Sequence, residues 1–208
     1  MVNRNKNLGK DAERKVAEAF TKLFREAGFI GENESFYRVV TSGMLGHHRE
    51  LLEKHALETV VGDIVCPTKF PFVIEVKRRM QPNFHLIVSG KHELVTSDDW
   101  IPQLTRDAYR INKHRLLVMF FPRNGMYVAL DYPTYELIGG STITPPNRLW
   151  FTYINEKLYK KGSMPELWNV ISFADFSKLV MEDGYRFFFK SFVGDKYDVY
   201  WREKVISS

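Results

Sequence analysis

Residues 72–77 read Phe-Val-Ile-Glu-Val-Lys, a β-forming run that is apolar on both faces yet carries a carboxylate and an ammonium. A strand of this type belongs inside a layered structure, where charge is costly unless it is paired or bound to a metal. Positions two apart on a strand share a face, so Glu75 and Lys77 project together. A second apolar run, Gly62-Asp63-Ile64-Val65-Cys66, lies just upstream, and Pro67-Thr-Lys-Phe-Pro71 between the two is a turn signal. The two runs are expected to form a hairpin. A turn about Lys69 sets Asp63 directly opposite Glu75. Facing carboxylates repel and cost stability without a cation. Two carboxylates with an ammonium beside them suit a divalent metal, and an all-oxygen set with retained waters suits Mg²⁺.

The rest of the chain supplies layers for such a sheet. Ala12, Val16, Ala19, Phe20, Leu23, Phe24 and Ala27 recur at three- and four-residue steps, predicting a helix over 10–28 that ends at Gly28. Residues 35–41 read as a strand ended by Ser42-Gly43, and 44–61 as an insertion with a short helix. Residues 80–97 read as a loop. Ser97-Asp98-Asp99 offers an N-cap for a helix carrying Trp100, Leu104, Ala108 and Ile111 on one face. Residues 115–121 form an apolar strand, and Asn124-Gly125 turns into another at 126–130. Ser172 to Asp175 is a cap signal for a helix to about Glu182, and 185–205 reads as an aromatic hairpin turning at Gly194-Asp195. The predicted fold is α/β, a mixed central sheet flanked by helices. A core over 1–123 would hold the 44–61 insertion, and an α+β extension over 124–208 would pack on it.

With 208 residues, 44% of them hydrophobic and 26% charged, the chain can bury roughly 70% of its unfolded surface, which excludes wholesale disorder. No apolar run approaches the ~20 residues of a membrane span, and the basic start leads into a charged amphipathic stretch unlike a signal peptide. The lone Cys66 excludes an intramolecular disulfide and a multi-cysteine zinc site, and fits a reducing cytoplasm. A net charge of +5 hints at a polyanionic partner.

Glu13 lies on the border of the first helix's apolar face, and Gln103 on the matching border of the second. Either could reach a site at the end of the hairpin. Taken in order, Gly9-Lys-Asp-Ala-Glu13-Arg14, Arg38-Val-Val-Thr-Ser42-Gly43, Gly62-Asp63-Ile64-Val65 and Ile74-Glu75-Val76-Lys77 resemble the PD-(D/E)XK nuclease superfamily. Within it they are similar to the archaeal-type and phage Holliday junction resolvases, over about residues 4–121. The resemblance implies a restriction-endonuclease-like core and a Mg²⁺-dependent, structure-selective DNA endonuclease, with Mn²⁺ able to substitute. It implies that Asp63 and Glu75 hold the metal, with the Val76 carbonyl completing the ligands and Glu13 binding the metal or its waters. Lys77 would orient or activate the attacking water. Ser42 matches the loop serine of the resolvases, and Arg38 their strand arginine.

Two departures stand out: Gly62 replaces the usual proline before the aspartate, and 44–61 is longer than the compact resolvase loop. Arg4, Lys6, Lys10, Arg14 and Lys15, together with Arg78 and Arg79, flank the proposed site and, with Arg38, are the expected DNA contacts. Paired incision of a four-way junction implies a homodimer acting in the cytoplasm, the host's if the chain is phage-encoded. The rival readings are a recombination exonuclease or restriction-type enzyme of the same superfamily, and a DNA-binding protein with a decayed nuclease fold. Recombination exonucleases tend to carry Gln-x-x-x-Tyr on the second helix, whereas Gln103 is followed four residues later by Asp107. His47-His48 reads as an exposed loop pair, and the C-terminal aromatics as hairpin core.

Overall fold

Helix α1, Arg4–Glu26, buries Ala12, Val16, Phe20, Leu23 and Phe24 along one stripe, as the periodicity predicts. It stops where Gly28 turns to φ +75, with Phe29 N–H donating to Phe24 O and Gly28 N–H to Arg25 O. Phe29 folds back to 5.9 Å from the Phe24 ring, the apolar contact that accompanies such a C-terminus. The coordinates are a computed structural model describing residues 4–39, 61–67, 69–80, 100–142, 148–153 and 166–193, with backbone alone at 4–6 and 148–153.

Two short strands, β1 (Tyr37–Arg38) and β2 (Ile64–Val65), pair antiparallel, Tyr37 opposite Val65. A five-stranded sheet runs in the order β3 (Phe72–Arg78), β4 (His114–Phe121), β5 (Gly125–Asp131), β7 (Glu166–Ser172), β6 (Arg148–Tyr153). β3 and β4 are parallel and the other pairs antiparallel, so the sheet is mixed. Helix α2 (Ile101–Ile111) is the crossover before β4, and α3 (Tyr132–Leu137), α4 (Phe173–Met181) and α5 (Tyr185–Val193) complete the described α-helices, with a 3-10 turn at Gly140–Thr142. This is the α/β architecture expected from the sequence. Strands from residues 125–172, the part read as an extension, continue the same sheet.

The core lies on both faces of that sheet. On one, Phe20 and Phe24 of α1 pack with Phe70, Phe72, Phe176 and Phe188. On the other, Trp100, Leu104 and Ala108 of α2 pack on Val73, Leu117 and Met119. At the far end of the sheet from Lys77, Arg115 is fully buried. It lies 3.0 Å from Asp131 and 2.9 Å from Glu166, and its guanidinium sits over the Trp168 ring. The two carboxylates and the ring offset the desolvation of that guanidinium and tie β4, β5 and β7 together.

Three local expectations change. Runs 62–66 and 72–77 are not a simple hairpin, because β2 takes β1 as its ladder partner. The aromatic segment after 185 is helical through Val193: Tyr185 and Phe189 stack four residues apart, and Phe188 enters the aromatic core. The N-cap of α2 is Trp100, which makes no side-chain capping bond. The Ser172 cap, by contrast, is as expected, with Ser172 Oγ accepting from Asp175 N–H. Ser42, residues 44–60 of the insertion, residues 81–97 of the 80–97 loop, Ser97 to Asp99 and the Gly194-Asp195 turn lie outside the described residues. No described helix is long and apolar enough to cross a membrane.

Candidate active site

Asp63 reaches its place through backbone geometry. Its amide donates to Ile74 O at 3.0 Å, its carbonyl accepts from Val39 N–H at 3.0 Å, and its carboxylate accepts from Val76 N–H at 2.8 Å. The residue thus clasps β3 on either side of Glu75. The expected neighbourhood of Asp63 and Glu75 is present, achieved by this clasp and not by a facing register. Gly62 explains the approach. It adopts φ +86, and a Cβ there would lie 2.6 Å from Ile74 O, the carbonyl that receives the Asp63 amide. Proline, fixed near φ −65°, cannot adopt this conformation. Gly62→Ala should therefore cost about 1–3 kcal/mol in urea unfolding. Unchanged stability would show that β3 can yield at Ile74.

Glu75 is 1% exposed. Its Oε1 accepts from Lys77 Nζ at 2.5 Å, while Oε2 is buried with no hydrogen-bond partner among the described residues. Burial first, then the Asp63 charge, pushes its carboxyl up to about 8 despite Lys77. Burial likewise raises Asp63. Glu13, on α1, is raised by burial and by Asp63, and Arg38 Nη1 stands 3.7 Å from its Oε2. The Asp63 charge thus raises both Glu13 and Glu75 at one end of β3, with Lys77 and Arg38 beside these acids.

This distribution has a consequence for stability. The folded chain holds a proton on Glu75 up to about pH 8, whereas an ordinary glutamate releases it near 4.5. The stabilisation is complete below 4.5 and is lost as pH rises toward 8. His114, which burial lowers from 6.5 to about 4, acts oppositely, since its contribution is lost as pH falls through that range. Above pH 6.5 the carboxylate effect is separated from His114. In EDTA, the melting temperature should fall between pH 6.5 and 8, and Glu75→Gln should flatten the fall. An unchanged slope in that variant would show that Glu75 is ionised in the fold.

An unpartnered buried carboxylate oxygen next to a second carboxylate fits a hard divalent cation, which would offset their repulsion. No three Asp, Glu, His or Cys side chains among the described residues are close enough to enclose a metal by themselves. Asp63 and Glu75 would thus be supplemented by backbone oxygen and water, as Mg²⁺ commonly is.

The remaining predicted residues are distributed around this centre. Val76 gives its amide to Asp63. Gln103, on α2, is half-buried. One turn further along that helix is Asp107, buried, whose charge also acts on Glu75. In the sequence Asp107 stands out only as a departure from the exonuclease Gln-x-x-x-Tyr pattern. Its i+4 spacing from Gln103 was the available signal. Lys10 is exposed, and Arg14 and Lys15 are exposed and paired with Asp11 at 2.7 and 3.0 Å. Arg78 Nη2 lies 3.6 Å from Met80 Sδ, and Arg79 stacks over the Trp100 ring at 4.7 Å. The side chains of Arg4 and Lys6 are outside the described residues.

A family model described as phage putative PDDEXK endonuclease matches residues 4–183. No curated protein and no solved structure matches the chain.

Proposed function

The chain belongs to the phage PDDEXK endonuclease family, and from that premise we propose that it is a Mg²⁺-dependent, structure-selective DNA endonuclease that cuts branched DNA in the manner of a Holliday junction resolvase. The observation that carries the metal-dependent part is the clasp of Asp63 on Val76 N–H beside a Glu75 whose Oε2 is buried and unpartnered among the described residues.

A bound Mg²⁺, or Mn²⁺ in its place, would be held by Asp63 and Glu75, with the Val76 carbonyl completing its protein ligands and Glu13 binding its waters, and would supply an acidified water and charge neutralisation at the phosphate. Lys77, held against Glu75 Oε1, presents an ammonium where negative charge develops on the phosphate oxygens. Arg38 steadies Glu13 across 3.7 Å. Ser42 and Gln103 border the substrate. Arg4, Lys6, Lys10, Arg14 and Arg78 contact phosphates, which gives affinity without sequence preference. The enzyme works as a cytoplasmic homodimer, since paired incisions need two equivalent sites.

The deciding experiment compares cleavage of a four-way junction, a splayed duplex and a linear duplex with Mg²⁺, alongside light scattering. Paired symmetric nicks in the junction and a mass near that of two chains are expected. A monomer that degrades linear ends would replace the resolvase reading with the exonuclease or restriction-type one, leaving the metal chemistry intact. No cleavage of any substrate with Mg²⁺ or Mn²⁺ would favour a DNA-binding protein with a decayed site.

A further inference from the structure

Arg79 directly follows the strand that carries Glu75 and Lys77, and by sequence it belongs with Arg78 as a phosphate contact. Its surroundings differ from those of a solvated charge. Its amide donates to Phe120 O at 3.1 Å, prolonging the β3–β4 ladder by one bond, and Nη1 donates to Arg78 O at 3.1 Å. The guanidinium lies 4.7 Å from the centre of the Trp100 ring, and Trp100 is 4% exposed.

Trp100 occupies the N-cap of α2. Among the described residues that helix start has no side-chain cap; its first turn holds no acidic residue and contains Pro102. A cation beside a helix N-terminus opposes the macrodipole, so an arginine here needs an attraction that outweighs it. The face of a buried tryptophan supplies one. The stacked pair thus anchors the start of α2 by packing, not by capping its amides. α2 lies on the sheet face that Trp100, Leu104 and Ala108 share with Val73 of β3, and Gln103 and Asp107 ride on it.

We propose that Arg79 is a positioning residue: by stacking on Trp100 it fixes the first turn of α2 against the end of β3, and so sets Gln103 and Asp107 relative to Glu75 and Lys77. This rests on the nuclease reading above. Residues 79 and 100 are brought side by side although twenty residues separate them in the chain, so one stacked pair joins the catalytic strand to the helix over it. Arg79 acts through Trp100, and its guanidinium is committed to the fold.

The test is a double-mutant cycle in the full-length protein with Arg79→Ala, Trp100→Leu, both together, and Trp100→Phe. Cleavage at saturating Mg²⁺ and DNA, DNA affinity across a salt series, and melting temperature are measured for each. Arg79→Ala and Trp100→Leu should each lower kcat on the order of tenfold to a hundredfold, the loss expected from a displaced catalytic frame. The double variant should be no worse than either single one. DNA affinity and its salt slope should stay at the wild-type values. Trp100→Phe keeps an aromatic face and should recover most of the rate, which also guards against a general folding defect in the leucine variant.

Weaker binding in Arg79→Ala with a salt slope reduced by about one, whether or not Trp100 is also replaced, would identify a phosphate contact and overturn the proposal. Additive losses in the double variant would overturn it as well. A wild-type protein without metal-dependent cleavage would instead remove the nuclease reading on which it rests.

Discussion

Asp63→Asn and Glu75→Gln, each alone, are expected to lower Mg²⁺-dependent strand cleavage by about a thousandfold or more, a barrier increase of about 4 kcal/mol, while DNA binding survives. The two substitutions test different halves of the site. An asparagine at 63 can still offer an oxygen to Val76 N–H, so the clasp on β3 is kept while the negative charge is lost. A glutamine at 75 imitates the protonated state that burial and Asp63 already favour in the metal-free protein. Neither variant should therefore be less stable in EDTA, and a loss of rate can be read as a loss of metal-site charge. Binding is carried by Lys and Arg side chains elsewhere and should keep its salt dependence. Filter-binding and cleavage assays on one junction substrate separate the two quantities. Normal cleavage by both variants would move the metal site away from Asp63 and Glu75.

What was legible in the sequence was local. The three-four spacing of α1, the Ser172 cap and the burial of the strand carrying Glu75 and Lys77 each depend on neighbours within a few residues. The proximity of Asp63 and Glu75 also followed from nearby chain. The means of holding them did not: β2 chooses β1 as its partner across the intervening 40–60 segment, and nothing in Gly62-Asp63-Ile64-Val65 announces that choice. The helix at 185–193 was hidden because dense aromatics carry β propensity, while what decides is the docking of Phe188 against Phe24 and Phe72. Arg115 read as the unremarked start of an apolar strand. Its partner Glu166 lies 51 residues away, beyond any pattern in the sequence. Arg79 illustrates the same limit at the site itself, since a basic run beside a nuclease motif gives no hint that one of its members is stacked on a tryptophan.

Lys77→Ala should reduce kcat by about 10²–10³, the usual cost of deleting one preplaced donor to a developing oxyanion, with little change in DNA affinity. Lys77 has two electrostatic relations that must be kept apart. Toward the phosphate it is a cation whose value rises as charge builds up, so its loss belongs to the transition state. Toward Glu75 it is the ammonium that lowers an otherwise raised carboxyl. Removing it pushes Glu75 further up, so the variant should need more Mg²⁺, or a higher pH, for half-maximal rate. Excess metal overcomes that second effect and not the first. The informative measurement is therefore turnover at saturating Mg²⁺ across pH 7 to 9, where wild type and variant should run roughly parallel with the variant well below. Lys77→Arg should not restore the rate, because a planar fork replaces a compact ammonium held 2.5 Å from Glu75 Oε1. A variant restored to wild-type turnover by metal or alkaline pH alone would show that Lys77 serves only to ready Glu75 for its cation, and would leave the charge on the phosphate to other residues.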